Sequence, residues 1–230
     1  MGDAEWLIFE SLRRRCNEVE LAVDAEIRSV IPEQDIDITP RFKNIETIRE
    51  KLRRETMRLS QMRDIVGFRI VATGGRLRQD EIAERLCVRF HGHKIKTIDR
   101  RSSPIYGYRA LHLEVEFDGV DIEIQIRTRL QHEWAEAFER LADVGGRGIR
   151  YGEPLEYKHL DPRLHRLLIS LHLELVKLSD LFDQYETYEH LHEVRTVLQS
   201  EDLLNQARTS SLERINNVNL LLIEIRKMLG

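Results

Sequence analysis

Only two cysteines, Cys16 and Cys87, occur in 230 residues. That is too few for a disulfide framework, so a reducing cytoplasm is the expected setting. Proline (5) and glycine (12) are also scarce, which excludes collagen-like and low-complexity chains. No uninterrupted apolar run approaches the ~18–20 residues of a membrane span, and no membrane partner is expected. The first residues, Met1-Gly2-Asp3-Ala4-Glu5-Trp6, are acidic and lack the basic-then-apolar order of a secretory signal. Positive charge is not in excess either. With 36 Lys and Arg against 40 Asp and Glu, the net charge is −4, which argues against a surface that coats nucleic acid throughout. What remains is 41% hydrophobic and 33% charged. That suffices for one sizeable core with helical appendages and excludes disorder.

Apolar residues at three- and four-residue spacing (Phe9, Leu12, Cys16, Val19, Val23, Ile27, Val30) predict an amphipathic helix over 4–30. Ile31-Pro32 and Thr39-Pro40 then bracket an expected loop, because the residue before proline is pushed out of the helical region. A second helix is expected over 44–58, burying Ile45, Ile48 and Leu52. The β-branched run Ile65–Val71, closed by Gly74-Gly75, reads as a buried strand. Helical spacing returns over 77–90 and a strand is expected over 93–99. A helix over about 128–141, a glycine-rich loop (Gly145-Gly146-Arg147-Gly148) and two leucine-rich helices, 161–192 and 198–229, complete the chain.

The most specific local signal is a hairpin. Alternating segments over 108–117 and 120–127 flank Asp118-Gly119, a dipeptide suited to a type I′ turn. Counting outward from that turn pairs Phe117 with Val120, Glu114 with Glu123 and His112 with Gln125. One face is then wholly apolar. The other carries His112, Glu114, Glu116, Asp121, Glu123, Gln125 and Arg127, and a one-residue slip would bury this polar set.

Charge is unevenly spread. Residues 41–63 hold eight Lys and Arg against three Glu, and residues 94–109 hold five against one Asp. Clusters of this kind suit a phosphate-bearing ligand, or they are solvated helix faces with local pairs. Asp64 opens the first central strand and Glu123 lies mid-hairpin on the polar face. Two strand carboxylates can hold Mg²⁺ together with substrate phosphates, or Glu123 can simply face water. Tyr108 beside Gly107 offers an aromatic face or a strand-end anchor. His112 suits a phosphate contact or a cross-strand pair with Gln125. The spacing Cys87-x3-His91-x-His93 fits no usual zinc site.

Five ordered blocks carry a resemblance. They are Arg41-x-Lys43, Ile48-x-x-Lys51, Asp64-Ile65-Val66-Gly67-Phe68-Arg69, Gly107-Tyr108-Arg109-Ala110-Leu111-His112 and Glu123-Ile124-Gln125-Ile126-Arg127-Thr128. Over roughly residues 38–140 the chain resembles the synthetase domain of RelA/SpoT alarmone synthetases. The resemblance implies an α+β fold: a mixed, nucleotidyltransferase-like central sheet with flanking helices and two long C-terminal helices. It implies a compact member without a phosphohydrolase domain, organised as an N-terminal helical segment (1–37), a synthetase core (38–150) and a C-terminal helical extension (151–230).

The implied reaction transfers the β,γ-pyrophosphoryl group of ATP to the ribose 3′-hydroxyl of GDP or GTP, releasing AMP, with Mg²⁺ as cofactor. Asp64 and Glu123 match the metal carboxylates, with Glu123 also the candidate base. Arg41, Lys43, Lys51, Arg69 and Arg101 fall on the ATP side, and Tyr108, His112 and Gln125 on the acceptor side. The sequence departs from the family pattern at Ser102-Ser103-Pro104-Ile105-Tyr106 and at Ala110. The stretch Gln131-His132-x-Trp134-Ala135-Glu136 is more similar to the toxin-type small synthetases. The acceptor therefore stays open between guanine nucleotides, adenine nucleotides and the 3′ end of tRNA. Arg13-Arg14-Arg15, Arg147 and Arg150 are the arginines that would track a tRNA backbone. An antitoxin partner accompanies the toxin-type reading. A non-catalytic nucleotide- or RNA-binding regulator is the alternative of another class, and retention of both carboxylates weighs against it. The leucines of the last two helices suit either a homo-oligomer or burial within one chain.

Overall fold

The computed structural model describes residues 3–31, 36–43, 48, 62, 65–154, 161–195 and 201–229. Ten principal elements follow in order: helix α1 (Asp3–Val30), strands β1 (Ile36–Phe42) and β2 (Val66–Ala72), helix α2 (Gly75–Arg89), strands β3 (Lys94–Asp99), β4 (Leu111–Phe117) and β5 (Val120–Thr128), then helices α3 (Arg129–Gly145), α4 (Pro162–Arg195) and α5 (Glu201–Leu229). A 3₁₀ turn, Arg147–Tyr151, follows α3. No helix among the described residues is long and apolar enough to cross a membrane. Apart from Ile48, the helix expected over 44–58 lies outside the described residues.

The chain forms two compact units. The first comprises residues 1–74, 78–99 and 111–127. Its five strands form one mixed sheet in the order β1-β2-β5-β4-β3. The hairpin register is the one counted from the sequence: Phe117 opposite Val120, Glu114 opposite Glu123, His112 opposite Gln125. Asp118 (φ 49°) and Gly119 (φ 74°) are both left-handed, as a type I′ turn requires. Alternation sends Val66, Phe68, Ile70, Leu111, Leu113, Val115, Ile122, Ile124 and Ile126 into one core, where Cys16, Val19, Val23 and Ile27 of α1 and Ile82 and Leu86 of α2 pack on them. Each fully buried branched side chain contributes about 1.5–3 kcal/mol, so this face fixes the register and leaves the opposite face polar.

One element departs from the sequence reading. Residues 36–42, expected as part of a loop, form β1, antiparallel to β2 with Pro40 opposite Phe68. Proline is tolerated here because β1 is an edge strand, where one residue without an N–H need not break a ladder on both sides.

The second unit comprises residues 75–77, 100–110 and 128–230. α3, α4 and α5 share a core built from Trp134, Phe138, Leu141, Leu168, Leu175, Leu178, Phe182, Ile215, Leu222 and Ile225. α3 begins with a capping box: Gln131 N–H donates to Thr128 Oγ1 at 3.2 Å, and Thr128 N–H donates to Gln131 Oε1 at 3.3 Å. Thus the C-terminal leucines bury substantially within the chain.

Candidate functional site

The polar face of the first unit's sheet gathers much of the chemistry expected from sequence. Glu123 lies mid-β5, and both of its oxygens are engaged. His112 Nδ1–H donates to Oε1 and Gln125 Nε2 donates to Oε2, each at 2.8 Å. His112 reaches Glu123 diagonally, since its direct partner is Gln125. Arg127 Nη2 in turn donates to Gln125 Oε1 at 2.9 Å. Residues 123, 125 and 127 therefore form a rail along one strand face, a consequence of the two-residue period of a strand.

Across the strands a second line crosses this rail. Arg41 pairs with Gly67, Glu123 pairs with Glu114, and Glu114 pairs with Lys96. Gly67 joins the two halves, because a Cβ added there would stand 3.1 Å from the Glu123 carbonyl and 3.6 Å from that of Arg41. Burial alone would raise the Glu123 pKa. The hydrogen bonds from His112 and Gln125, and the fields of His112 and Arg41, outweigh burial and hold it at about 2. Glu123 is thus an ionised carboxylate over the whole physiological range.

Arg69, on β2, shares this face, being opposite Thr39 in the same alternation that pairs Arg41 with Gly67. Lys43 follows β1 directly and its N–H donates to Ile65 O at 2.9 Å. Asp64 and Lys51 lie outside the described residues. The structure therefore brings Glu123, His112, Gln125 and Arg41 together, with Arg69 on the same face. Arg127 and Gly67 are additions. Strand alternation placed Arg127 on the polar face, and only the register shows it bracing Gln125.

Tyr108 and Arg101 belong to the second unit. Ile105 and Tyr108 bridge across a two-residue turn, with Tyr108 N–H donating to Ile105 O at 2.9 Å. Tyr108 is half-buried against the helical core of its own unit. The basic segment 94–109 is largely neutralised by pairing. Lys94 and Lys96 lie 3.6 Å from Glu116 and Glu114, and Arg109 is a buried partner of Asp180 and Asp183. Arg109 thus serves an internal network and is corrected from the basic cluster read in the sequence.

The region found in RelA and SpoT proteins matches residues 40–141, the stretch that holds Arg41, Gly67, His112, Glu123, Gln125 and Arg127. The uncharacterized protein Rv1366 of Mycobacterium tuberculosis (strain ATCC 25618 / H37Rv) is 40% identical over 117 residues, which are 50% of this chain and 43% of that protein. The uncharacterized protein Mb1401 of Mycobacterium bovis matches with the same values. The match thus spans less than half the length of these curated relatives. Among solved structures, small alarmone synthetase 1 from Bacillus subtilis is 23% identical, with a TM-score of 0.56 over 85% of this chain and 100% of its own. A GTP pyrophosphokinase family protein from Streptococcus pneumoniae is 20% identical, with a TM-score of 0.53 over 90% and 98%. The fold is that of the small alarmone synthetases, and the RelA/SpoT region supplies the polar face of the sheet.

Chemically, this face can do two things. Glu123 is ionised and, although each oxygen already accepts one hydrogen bond, a carboxylate has about four acceptor positions. It can therefore still bind a hard cation, and Mg²⁺ asks for only one or two carboxylates when phosphates complete its shell. The donor set fits. Arg41, at one end of the transverse line, adds positive charge suited to phosphate.

Proposed function

We propose that the chain is an ATP-dependent pyrophosphotransferase that moves the β,γ-pyrophosphoryl group of ATP to the ribose 3′-hydroxyl of GDP or GTP. The acceptor O3′ forms a bond to the β-phosphorus, the bond from that phosphorus to the α,β-bridging oxygen breaks, and AMP leaves with that oxygen. The observation that carries this reading is the carboxylate of Glu123, held ionised between His112 and Gln125 on the sheet face it shares with Arg41.

Glu123 and Asp64 are the residues that would hold Mg²⁺. When bound, the ion neutralises phosphate charge and polarises the phosphoryl group under attack. Transfer of this kind depends on positioning and charge stabilisation more than on covalent chemistry. A carboxylate with a pKa of about 2 is a weak proton acceptor, well below the working range of an efficient general base. Its principal contribution is therefore to orient the acceptor hydroxyl, receiving the proton late, when the new O–P bond has made that oxygen acidic. His112 and Gln125 keep the carboxylate from rotating away, and Arg127 keeps Gln125 in place. Arg41, Lys43, Lys51, Arg69 and Arg101 are assigned to ATP, and Tyr108 to the acceptor base by stacking.

Three of the arginines that would track a tRNA backbone have acidic neighbours within their own units. Arg13 lies 3.9 Å from Glu10, Arg15 lies 3.8 Å from Glu18, and Arg150 pairs with Glu139. With a net charge of −4, free guanine nucleotides are taken as the acceptors of first choice over tRNA. The test is incubation with γ-labelled ATP and Mg²⁺, offering GDP, GTP, ADP, ATP and deacylated tRNA separately. Label on GDP or GTP with release of AMP supports the reading; label on tRNA or adenine nucleotides alone overturns the acceptor, and no transfer overturns the reaction.

A further inference from the structure

Helix α4 lies outside the RelA/SpoT region, yet within the second unit it grips the Gly107-Tyr108-Arg109 loop at several points. The loop is strained. Tyr106 has φ 51° and Gly107 φ 88°, so a tyrosine occupies a left-handed position that costs a non-glycine residue about 1–2 kcal/mol. Such a conformation persists only where its surroundings over-determine it.

Ser179 of α4 does this from one side. Its Oγ donates to the Gly107 carbonyl and accepts from Arg109 Nε at 3.2 Å. Arg109 Nη2 donates to Asp180 Oδ1 at 3.0 Å, Nη1 lies 3.3 Å from Asp183 Oδ1, and Nη1 also donates to the Arg101 carbonyl. The Arg109 side chain is only 10% exposed, so its contacts with Ser179 and Asp183 are shielded from competing water, while Asp180 lies in the open. On the other side, a Cβ at Gly107 would meet the Trp134 ring at 2.8 Å. Trp134 is itself fixed by its Nε1–H donating to Leu175 O of α4 at 2.6 Å. The loop is thus pinned through its backbone and through the residue that follows Tyr108.

We propose that Ser179 is a positioning residue: with Asp183, it latches Arg109 and the Gly107 carbonyl and so sets the pose in which Tyr108 receives the acceptor base. This rests on the reading of Tyr108 as the acceptor platform. Loosening the latch at Ser179 acts on acceptor binding and leaves ATP binding alone, because Ser179 touches the Gly107 carbonyl and Arg109 Nε, whereas Arg101, the ATP-side residue of this unit, is reached through Arg109 Nη1 instead.

The test compares Ser179→Ala, which removes both hydrogen bonds, with Ser179→Thr, which restores the hydroxyl. Arg109→Lys is a second probe that keeps the charge and loses the fork. In Ser179→Ala the KM for GDP is expected to rise about tenfold, the scale of one or two hydrogen bonds, with the KM for ATP unchanged; in Arg109→Lys, which also loses the bond to the Arg101 carbonyl, the KM for GDP is expected to rise at least as much. Ser179→Thr is expected to restore the wild-type value. The Ile105 and Tyr108 amides are expected to exchange with deuterium about tenfold faster in Ser179→Ala. An equal rise in both KM values, or a lower melting temperature with unaltered kinetics, would show a merely structural role and overturn the proposal. Unchanged loop exchange overturns the latch whatever the reaction is, whereas a wild-type chain that transfers label to no acceptor overturns the reading of the reaction instead.

Discussion

A Cβ placed on Gly67 would stand 3.1 Å from the carbonyl oxygen of Glu123. The neighbour is strand backbone on a buried β5, not a flexible side-chain tip, so it yields only by shifting the strand. Gly67 also leaves the face open between Arg41 and Glu123, which sit on either side of it.

Gly67→Ala is therefore expected to slow transfer several-fold, and Gly67→Val at least a hundredfold. The valine branches would fill the gap across which the Arg41 guanidinium helps keep Glu123 ionised. Overpacking of this kind costs about 1–3 kcal/mol of stability. Initial rates measured beside melting curves separate the two effects, and a Gly67→Val chain with wild-type rates would remove glycine's role at this position.

Glu123→Gln keeps the shape and loses the charge. It is expected to lower transfer at least a thousandfold and, by removing the charge, to lower the melting temperature at pH 7 by at most about 10 °C with the fold retained. The folded pKa of about 2 lies below the ordinary value of 4.5. The folded state therefore binds this proton less readily than the unfolded chain. The stabilisation, at most about 3 kcal/mol, is fully present above pH 4.5 and is lost as the pH falls toward 2. In metal-free buffer the wild-type chain should lose stability over that window more steeply than Glu123→Gln, and parallel acid-unfolding curves would contradict the assignment.

Tyr108→Ala removes an aromatic face from a loop that the second unit holds by other residues. The expected result is a rise of at least tenfold in the KM for GDP or GTP, in line with the ~1–3 kcal/mol of stacking one base on one aromatic ring. The KM for ATP should stay within twofold. Steady-state kinetics with each substrate varied in turn decides it, and a matched loss for both substrates would assign Tyr108 to the core alone.

The legible and illegible parts of the molecule divide by the range of the interaction. The hairpin register was readable because Asp118-Gly119 sets a turn and the alternation then fixes each pair outward, including Glu114 opposite Glu123 and His112 opposite Gln125. Strand β1 was not, since Thr39-Pro40 reads locally as a break and only pairing with β2 makes an edge strand of it. The roles of Gly67 and Arg127 likewise depend on which strands become neighbours. Least legible was the engagement of Arg109. Its side-chain partners Ser179, Asp180 and Asp183 lie some seventy residues downstream, and no periodicity reports a contact at that distance.

Glu186 gives the remaining prediction, and its sign is opposite to that of Glu123. It is 2% exposed, accepting hydrogen bonds from Thr128 Oγ1 and from Gln131 Nε2 at 3.0 Å, with Arg76 Nε 3.9 Å away. Burial pushes its pKa up to about 7, against these hydrogen bonds and the Arg76 charge, with nearby Glu189 adding to the rise. The folded state therefore holds this proton more tightly than the unfolded chain, whose carboxyl titrates near 4.5. Stability falls as the pH rises from about 4.5 to 7, by about 3 kcal/mol in all, and stays reduced above that. Glu186→Gln mimics the protonated acid, able to donate to Thr128 Oγ1 while accepting from Gln131. It should match the wild type at pH 4.5 and raise the melting temperature by several degrees at pH 8. Calorimetric scans at the two pH values test this, and a variant less stable at pH 8 would mean that the charged form contributes more through Arg76 than its burial costs.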